Sequence, residues 1–267
     1  MNNEREQPIS AARADNAPSG RGSQRVWVLL RSTFHWLLSA AYFFPMCAFV
    51  LVLGIFIDPR KNDAPQRFLC RVTMKLAGAR LIVRRAPGFD PARTCFLLVN
   101  HVNLFDPFVL YATIPQYFRG LELESHFRIP VYGWMMKRFG NVPVPSVRSP
   151  KDLKRLWRLT QEAINGGVSL IVFPEAKRTR DGYLNDFEEG GFRLAQQLGV
   201  PIVPVSLVGS FHHLRTGHWL LRPTTITVHI HDTIETKGLT KEDIPALKAR
   251  VRSAIAPPVE ESLLPKK

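Results

Sequence analysis

Cys95-Phe96-Leu97-Leu98-Val99-Asn100-His101-Val102-Asn103-Leu104-Phe105-Asp106-Pro107 changes character twice within thirteen residues. The first five are apolar without interruption, which marks a strand buried on both faces. Asn100-His101 then leaves the carboxyl end of that strand, where open α/β sheets bind their ligands. Asp106-Pro107 closes the stretch as a helix start, with Asp106 as N-cap and Pro107 at N1. His101 is therefore expected in a loop between strand and helix. On a continuous helix a five-residue spacing would separate His101 from Asp106 by about 140°, whereas a loop that folds back lets the carboxylate meet the ring.

That pairing has a chemistry. An alcohol is a weak nucleophile near neutral pH, and a neutral imidazole within hydrogen-bond distance can take its proton as it attacks. A carboxylate on the other ring nitrogen fixes the tautomer and stabilises the imidazolium. The sequence contains no G-x-S-x-G elbow, which favours direct attack by the acceptor on an activated acyl group over an acyl-enzyme. The plain alternative is a helix cap beside a satisfied loop histidine.

Working outward, β-branched and apolar runs alternate with helical patterns. Strands are expected at 81–85, 95–100, 121–124, 142–144, 169–173, 202–207 and 225–230, and helices at 63–78, 107–114, 129–138, 150–165, 189–198 and 240–255. This alternation predicts an α/β domain with a mixed, mostly parallel sheet flanked by helices. The helix at 150–165 is signposted by Ser149 as N-cap, Pro150 at N1, Asp152 at N3 and Gly166 past its end. Leu153, Leu156, Trp157, Ala163 and Ile164 form its apolar face, interrupted by Thr160. Lys151, Lys154, Arg155 and Arg158 share another face, which reads as a solvated surface or as a stripe for anionic headgroups or an acidic acyl carrier.

From Ser32 to Ile57 no formally charged residue occurs, and residues 34–57 would reach about 36 Å as one helix, enough to span a bilayer. Pro45 interrupts the run, and both flanks are basic: Arg21, Arg25 and Arg31 before it, and Arg60, Lys61, Arg67, Arg71 and Lys75 after it. Basic flanks at both ends favour a hairpin that dips into the membrane and returns, with a single span as the other reading. The chain thus divides into a disordered tail at 1–24, a membrane-anchoring helical segment at 25–60, a catalytic domain at 61–256 and a tail at 257–267. A net charge of +14 asks for an anionic partner. The cations are dispersed and lack an aromatic-rich RNA-recognition motif, so an anionic membrane surface is expected and nucleic acid is not. Cys47, Cys70 and Cys95 fit no zinc spacing and read as reduced structural thiols of a cytosol-facing domain.

A second segment joins the first. Residues 168–173 read as a strand that runs into Pro174-Glu175-Ala176-Lys177-Arg178-Thr179-Arg180-Asp181-Gly182. Three cations at a strand's carboxyl end suit a phosphate-bearing ligand.

At these two segments the chain resembles the lysophosphatidic acid acyltransferase group of the glycerolipid acyltransferase family. N-H-x-x-x-x-D is matched by Asn100, His101 and Asp106, and F-P-E-G-T-R-S by Phe173, Pro174, Glu175 and Arg178. The closing V-P-I-V-P-V is present at residues 200–205. The resemblance implies that His101 is the general base and Asp106 its orienter. It also implies that Glu175 and Arg178 hold the acceptor's polar head, Arg178 at phosphate; Asn100, Lys177 and Arg180 complete the candidate binding set. The implied co-substrate is acyl-CoA or acyl-carrier protein, with no cofactor or metal, and the implied site is the cytoplasmic face of a membrane. Three departures bear on the acceptor. Ala176 and Lys177 stand where the family usually has Gly and Thr, Glu188 stands where many members carry Lys, and Ser146 stands where Arg is common, with Arg148 two residues on. Lysophosphatidic acid is the expected acceptor, with another lysolipid of the lyso-ornithine or lysophosphatidylcholine type, or a non-enzymatic lipid-binding module, as alternatives.

Two further features invite a role. His212, His213 and His218 suggest a metal site but have no carboxylate or cysteine close in sequence, so a surface loop is expected. The aromatic stretch 127–139 reads as core, or as an acyl-chain groove or interfacial surface.

Overall fold

The computed structural model describes residues 20–58, 63–130, 132–146 and 149–264. A seven-stranded sheet forms the centre, in the order β1-β7-β6-β2-β5-β3-β4. Its strands are β1 (Ala79–Arg85), β2 (Phe96–Val99), β3 (Phe118–Leu123), β4 (Val142–Val144), β5 (Ser169–Val172), β6 (Ile202–Val208) and β7 (Thr224–Ile230). Every neighbouring pair is parallel except β6 with β7. The mixed, mostly parallel sheet expected from the alternating pattern is the one observed.

Strand β2 sits in the middle, paired to β6 through Phe96 with Ile202 and to β5 through Phe96 with Leu170. Its side chains alternate between the two faces. Leu97 and Val99 join one core with Val109, Leu110, Ile171, Val203 and Val205, beneath α1 (Gly20–Phe56), α2 (Ala64–Leu76) and α3 (Asp106–Thr113). Phe96 and Leu98 join the other with Leu170, Phe192, Ile202, Val251 and Ile255, beneath α5 (Pro150–Asn165), α6 (Gly190–Leu198) and α8 (Ile244–Glu261). Burial on both sides is why the strand's sequence shows no polar alternation. α5 keeps its expected bounds because its cap is real: the Ser149 hydroxyl accepts from Asp152 N at 3.2 Å. On its faces, however, Thr160 is fully buried and Leu153 is exposed. Arg155 and Arg158 of its basic stripe are paired to Glu124 and Glu162.

The hairpin expected at the amino terminus is not formed. α1 is one continuous helix of 37 residues with Pro45 inside it, about 55 Å long. Ser32, Ser39, Cys47 and Val50 are buried, and Trp36, Phe43 and Met46 pack against the core. That stripe keeps helical spacing across Pro45, so one docking face holds both halves in line, and the chain turns back into α2 only after Ile57. The other faces expose Trp27, Phe34, Leu37, Phe44, Phe49, Ile55 and Phe56. Val26–Phe56 is long and apolar enough to cross a membrane. Arg138, from α4 (Tyr132–Arg138), donates from Nε to Gly54 O at 2.6 Å and so satisfies a carbonyl at the end of α1.

Two boundaries also move. α1 begins at Gly20, inside the segment expected to be disordered, and residues 1–19 lie outside the described residues. α8 runs to Glu261 through Pro257-Pro258, five residues past the expected end of the domain, because Val259 is buried in the second core.

Candidate active site

Parallel pairing of β2 with β5 brings the two sequence motifs together. Their register pairs residues 74 apart, Phe96 with Leu170, and carrying it past the strand ends places His101 level with Glu175. The ladder continues there through a side chain. His101 N donates to Glu175 Oε1 at 2.7 Å, and Thr179 N donates to His101 O at 2.9 Å. The backbone of His101 is thereby held on both sides by the segment after β5. Its ring stacks on Phe173 with centroids 4.1 Å apart.

The loop after His101 folds back as expected. His101 Nδ1 lies 2.8 Å from Asp106 Oδ2. The same oxygen accepts from Val102 N at 2.6 Å and from Asn103 N at 3.0 Å. Asp106 is not the N-cap but the first residue of α3, with Phe105 in the cap position. Its carboxylate reaches back over the loop, so a residue read as a cap serves as the loop's organiser. Asp106 is fully buried, whereas the His101 side chain is 22% exposed. A buried carboxylate that gathers two backbone N–H groups is an acceptor, so His101 carries its hydrogen on Nδ1 and turns the Nε2 lone pair outward. That arrangement suits a general base.

Two of the residues expected to bind substrate are buried and bonded to neighbouring strands and loops. Asn100 is 1% exposed; its Nδ2 donates to Leu207 O at 3.2 Å and its Oδ1 accepts from Leu207 N at 2.7 Å, which clips β2 to β6. Glu175 is 3% exposed, and its second oxygen accepts from Asn185 N and Asn185 Nδ2 at 2.7 and 2.9 Å. Both carboxylate oxygens are engaged within the protein. Burial pushes the Glu175 carboxyl above its ordinary range, while the bonds from His101 and Asn185 oppose that shift.

Lys177, Arg178 and Arg180 are all exposed. Arg178 lines a cleft of about 230 Å³ beside the His101 loop, together with Asn103, Leu104, Arg215, Trp36 and Trp219; Lys177 and Arg180 are not among the residues that line it. Ala176 takes φ 56°, the left-handed region, and is the one non-glycine residue there among the described residues. The turn keeps the backbone that Gly usually supplies at this place in the family.

Sequence reasoning missed three contributors. Asn103 is buried, with Nδ2 donating to Ser210 O and Leu214 O at 2.8 and 3.0 Å, which ties the loop to the segment after β6. Thr216 Oγ1 donates to Val102 O at 2.8 Å. Asn185 anchors Glu175. Each acts through a strand neighbour, and only the pairing order could have pointed to it.

The three histidines do not form the expected surface loop. Ser210–His213 is a helical turn, α7. His213 is fully buried against Arg222 O at 2.8 Å, while His218 lines the cleft. Of the aromatic stretch, Phe127, Met136 and Phe139 are core, while Tyr132 and Trp134 are exposed. Asn141, just before β4, accepts through Oδ1 from Gly120 N at 2.8 Å, and Arg148 lies outside the described residues.

Residues 80–208 match the acyltransferase family model. Among curated proteins, the chain is 32% identical over 141 residues to the chloroplastic 1-acyl-sn-glycerol-3-phosphate acyltransferase BAT2 of Brassica napus, covering 52% of this chain and 40% of that one. It is 32% identical over 175 residues to human 1-acyl-sn-glycerol-3-phosphate acyltransferase beta, covering 64% and 61%, and 25% identical over 195 residues to the Pseudomonas aeruginosa 1-acyl-sn-glycerol-3-phosphate acyltransferase, covering 73% and 75%. The chain thus spans half or less of the length of several curated relatives, 40% for Brassica napus and 50% for a Chlamydomonas reinhardtii protein. Its fold matches the crystal structure of the 1-acyl-sn-glycerophosphate acyltransferase PlsC from Thermotoga maritima with a TM-score of 0.73 at 22% identity, covering 91% of this chain and 99% of that one.

Proposed function

From the match of residues 80–208 to the acyltransferase family model, we propose that this chain moves a fatty acyl group onto the free hydroxyl of a lysophospholipid at a membrane. The acceptor is lysophosphatidic acid, the product phosphatidic acid, and the donor acyl-CoA or acyl-carrier protein. The observation that carries this reading is the 2.8 Å contact of His101 Nδ1 with Asp106 Oδ2. In the reaction, His101 Nε2 takes the proton of the acceptor hydroxyl as its oxygen attacks the thioester carbonyl. Asp106 balances the charge of the imidazolium. Collapse of the tetrahedral intermediate breaks the C–S bond, and the proton passes from Nε2 to the departing thiolate. Arg178 supports the phosphate assignment because its exposed guanidinium lines the cleft beside the His101 loop.

The apolar outer faces of α1 support a membrane location, with lipid against Trp27, Phe34, Leu37 and Phe44. The basic residues Arg31, Arg67, Arg71 and Lys75 around it support placing the catalytic domain on the cytoplasmic face. The relatives' names point to 1-acylglycerol-3-phosphate as acceptor. Purified protein in vesicles, offered mixed lysolipids with acyl-CoA or acyl-carrier protein, tests the proposal by mass spectrometry of the products. Phosphatidic acid is expected as the main product; acylation confined to a lysophosphatidylcholine or lyso-ornithine type would move the acceptor, and no acylated product from any lysolipid would end the reading.

A further inference from the structure

The cleft beside the loop that follows His101 is lined by Asn103 and Leu104 of that loop and walled by two segments that leave neighbouring strands of β2, and each brings an arginine to it. Arg178 follows β5, and Arg215 follows β6. The resemblance to the family assigns the first; nothing in the sequence motifs assigns the second. Resting on the reading of a phosphorylated acceptor, we propose that Arg215 is a second head-group residue, which selects acceptors carrying a phosphomonoester over those carrying a phosphodiester.

Charge is the first argument. Among the other exposed arginines, Arg93, Arg155, Arg158 and Arg193 each hold a carboxylate, whereas Arg80, Arg84, Arg85 and Arg180 have no ion pair among the described residues; what sets the cleft apart is that two unpaired arginines share one concave surface. Arg178 and Arg215 have no such ion pair among the described residues, and no Asp or Glu lines their cleft. Two unneutralised guanidinium groups on one concave surface focus a positive potential that only an anion relieves. A phosphomonoester carries about −1.5 to −2 near neutral pH and offers three acceptor oxygens, so it can engage two guanidinium forks. A phosphodiester carries a single charge and loses one of those oxygens to its second ester.

Position is the second argument. Both chain neighbours of Arg215 are bonded to residues that follow His101: Leu214 O accepts from Asn103 Nδ2 at 3.0 Å, and Thr216 Oγ1 donates to Val102 O at 2.8 Å. The Arg215 guanidinium rests over the Phe211 ring, 5.2 Å from its centroid. The backbone carrying Arg215 is therefore in fixed register with the base, which a head-group contact needs if the hydroxyl is to reach Nε2. The volume of about 230 Å³ falls below the roughly 300–1,000 Å³ that encloses a drug-sized molecule. It accommodates a head group and leaves the acyl tail outside. Trp36 of α1 donates to Trp219 O at 2.6 Å, and both rings line the cleft, so the tail would emerge beside the apolar helix.

The test is steady-state acyl transfer in vesicles by wild type, Arg215→Ala and Arg215→Lys. Lysophosphatidic acid is compared with lysophosphatidylglycerol at a fixed acyl donor. In Arg215→Ala the KM for lysophosphatidic acid should rise about tenfold or more, as loss of a charged hydrogen bond implies, with kcat much less affected. The monoester-to-diester ratio of kcat/KM should collapse, the KM for the donor should stay unchanged, and Lys should restore part of the ratio. An unchanged ratio in an Arg215→Ala protein that melts as the wild type does, or a fall in kcat with KM unaltered, overturns the role of Arg215 while wild-type turnover of lysophosphatidic acid keeps the proposed function standing. Wild-type turnover of the diester alone overturns both.

Discussion

His101 Nδ1 faces Asp106 Oδ2 at 2.8 Å, and the same oxygen holds the backbone N–H groups of Val102 and Asn103. One fully buried carboxylate therefore sets both the tautomer of the base and the path of the loop that carries it. Removing its charge should spare both of these duties and cost a third. In Asp106→Asn the amide oxygen in the place of Oδ2 can still accept from Val102 N, Asn103 N and His101 Nδ1, so loop and tautomer are kept, but a neutral amide no longer balances the imidazolium. Loss of kcat by about 10²- to 10⁴-fold, the range a general base contributes, is expected, with acceptor KM little altered. Steady-state kinetics on a protein with an unshifted melting curve checks this.

Glu175 acts as a brace between the segments after β2 and β5, so its loss should register in stability as well as in rate. Glu175→Gln keeps one acceptor and turns an NH2 toward a donor, either His101 N or the Asn185 pair. A cost of about 1–3 kcal/mol and a concurrent fall in kcat are expected, measured by denaturant unfolding and by turnover. A head-group role alone would raise KM and leave stability untouched.

Ala176 holds φ 56°, which costs an L-residue roughly 1–2 kcal/mol, partly offset by the unfolded-state freedom of about 0.5–1 kcal/mol that Gly would add. Ala176→Gly should therefore stabilise the protein by about 0.5–1 kcal/mol, a rise of a few °C in Tm. Ala176→Val should lower it. Thermal denaturation of the pair distinguishes backbone strain from an effect of side-chain contacts.

His213 predicts a pH dependence. Burial holds its imidazole below the ordinary value of 6.5, against the opposing bond to Arg222 O. The unfolded chain takes up a proton near that value while the folded chain does not. The stabilisation is therefore complete above about pH 6.5 and declines as pH falls toward the folded pKa. His229 and His231 are displaced in the same direction by burial and add to the slope. Unfolding free energy should drop from pH 7.5 to 5.5, and His213→Asn, which keeps a donor toward Arg222 O, should flatten the slope. A rise in stability on acidification would contradict the assignment.

Strands and helices were legible in the sequence where one residue type dictates local geometry. Ser149, Pro150 and Gly166 bound α5, an unbroken apolar run marks β2, and the apolar run from Leu170 marks β5. The roles of Asn100 and Glu175 were not legible, because both depend on which strands flank β2. A motif asparagine or glutamate looks the same whether it faces a ligand or bonds a neighbouring strand 74 or 107 residues away. Pro45 misled for a related reason: intrinsic propensity argues for a break, but the docking stripe from Ser32 to Val50 holds the helix in one piece. The cleft was hidden altogether, since Arg178 and Arg215 meet only through the order β5-β2-β6.

Acyl transfer by His101→Ala, assayed in vesicles with lysophosphatidic acid and acyl-CoA alongside direct measurement of acceptor binding, tests the central claim most directly. The account predicts loss of kcat by about 10²- to 10⁴-fold, the range a general base contributes, with acceptor binding preserved. Turnover within about threefold of wild type, in a variant that folds and binds as wild type does, would contradict it.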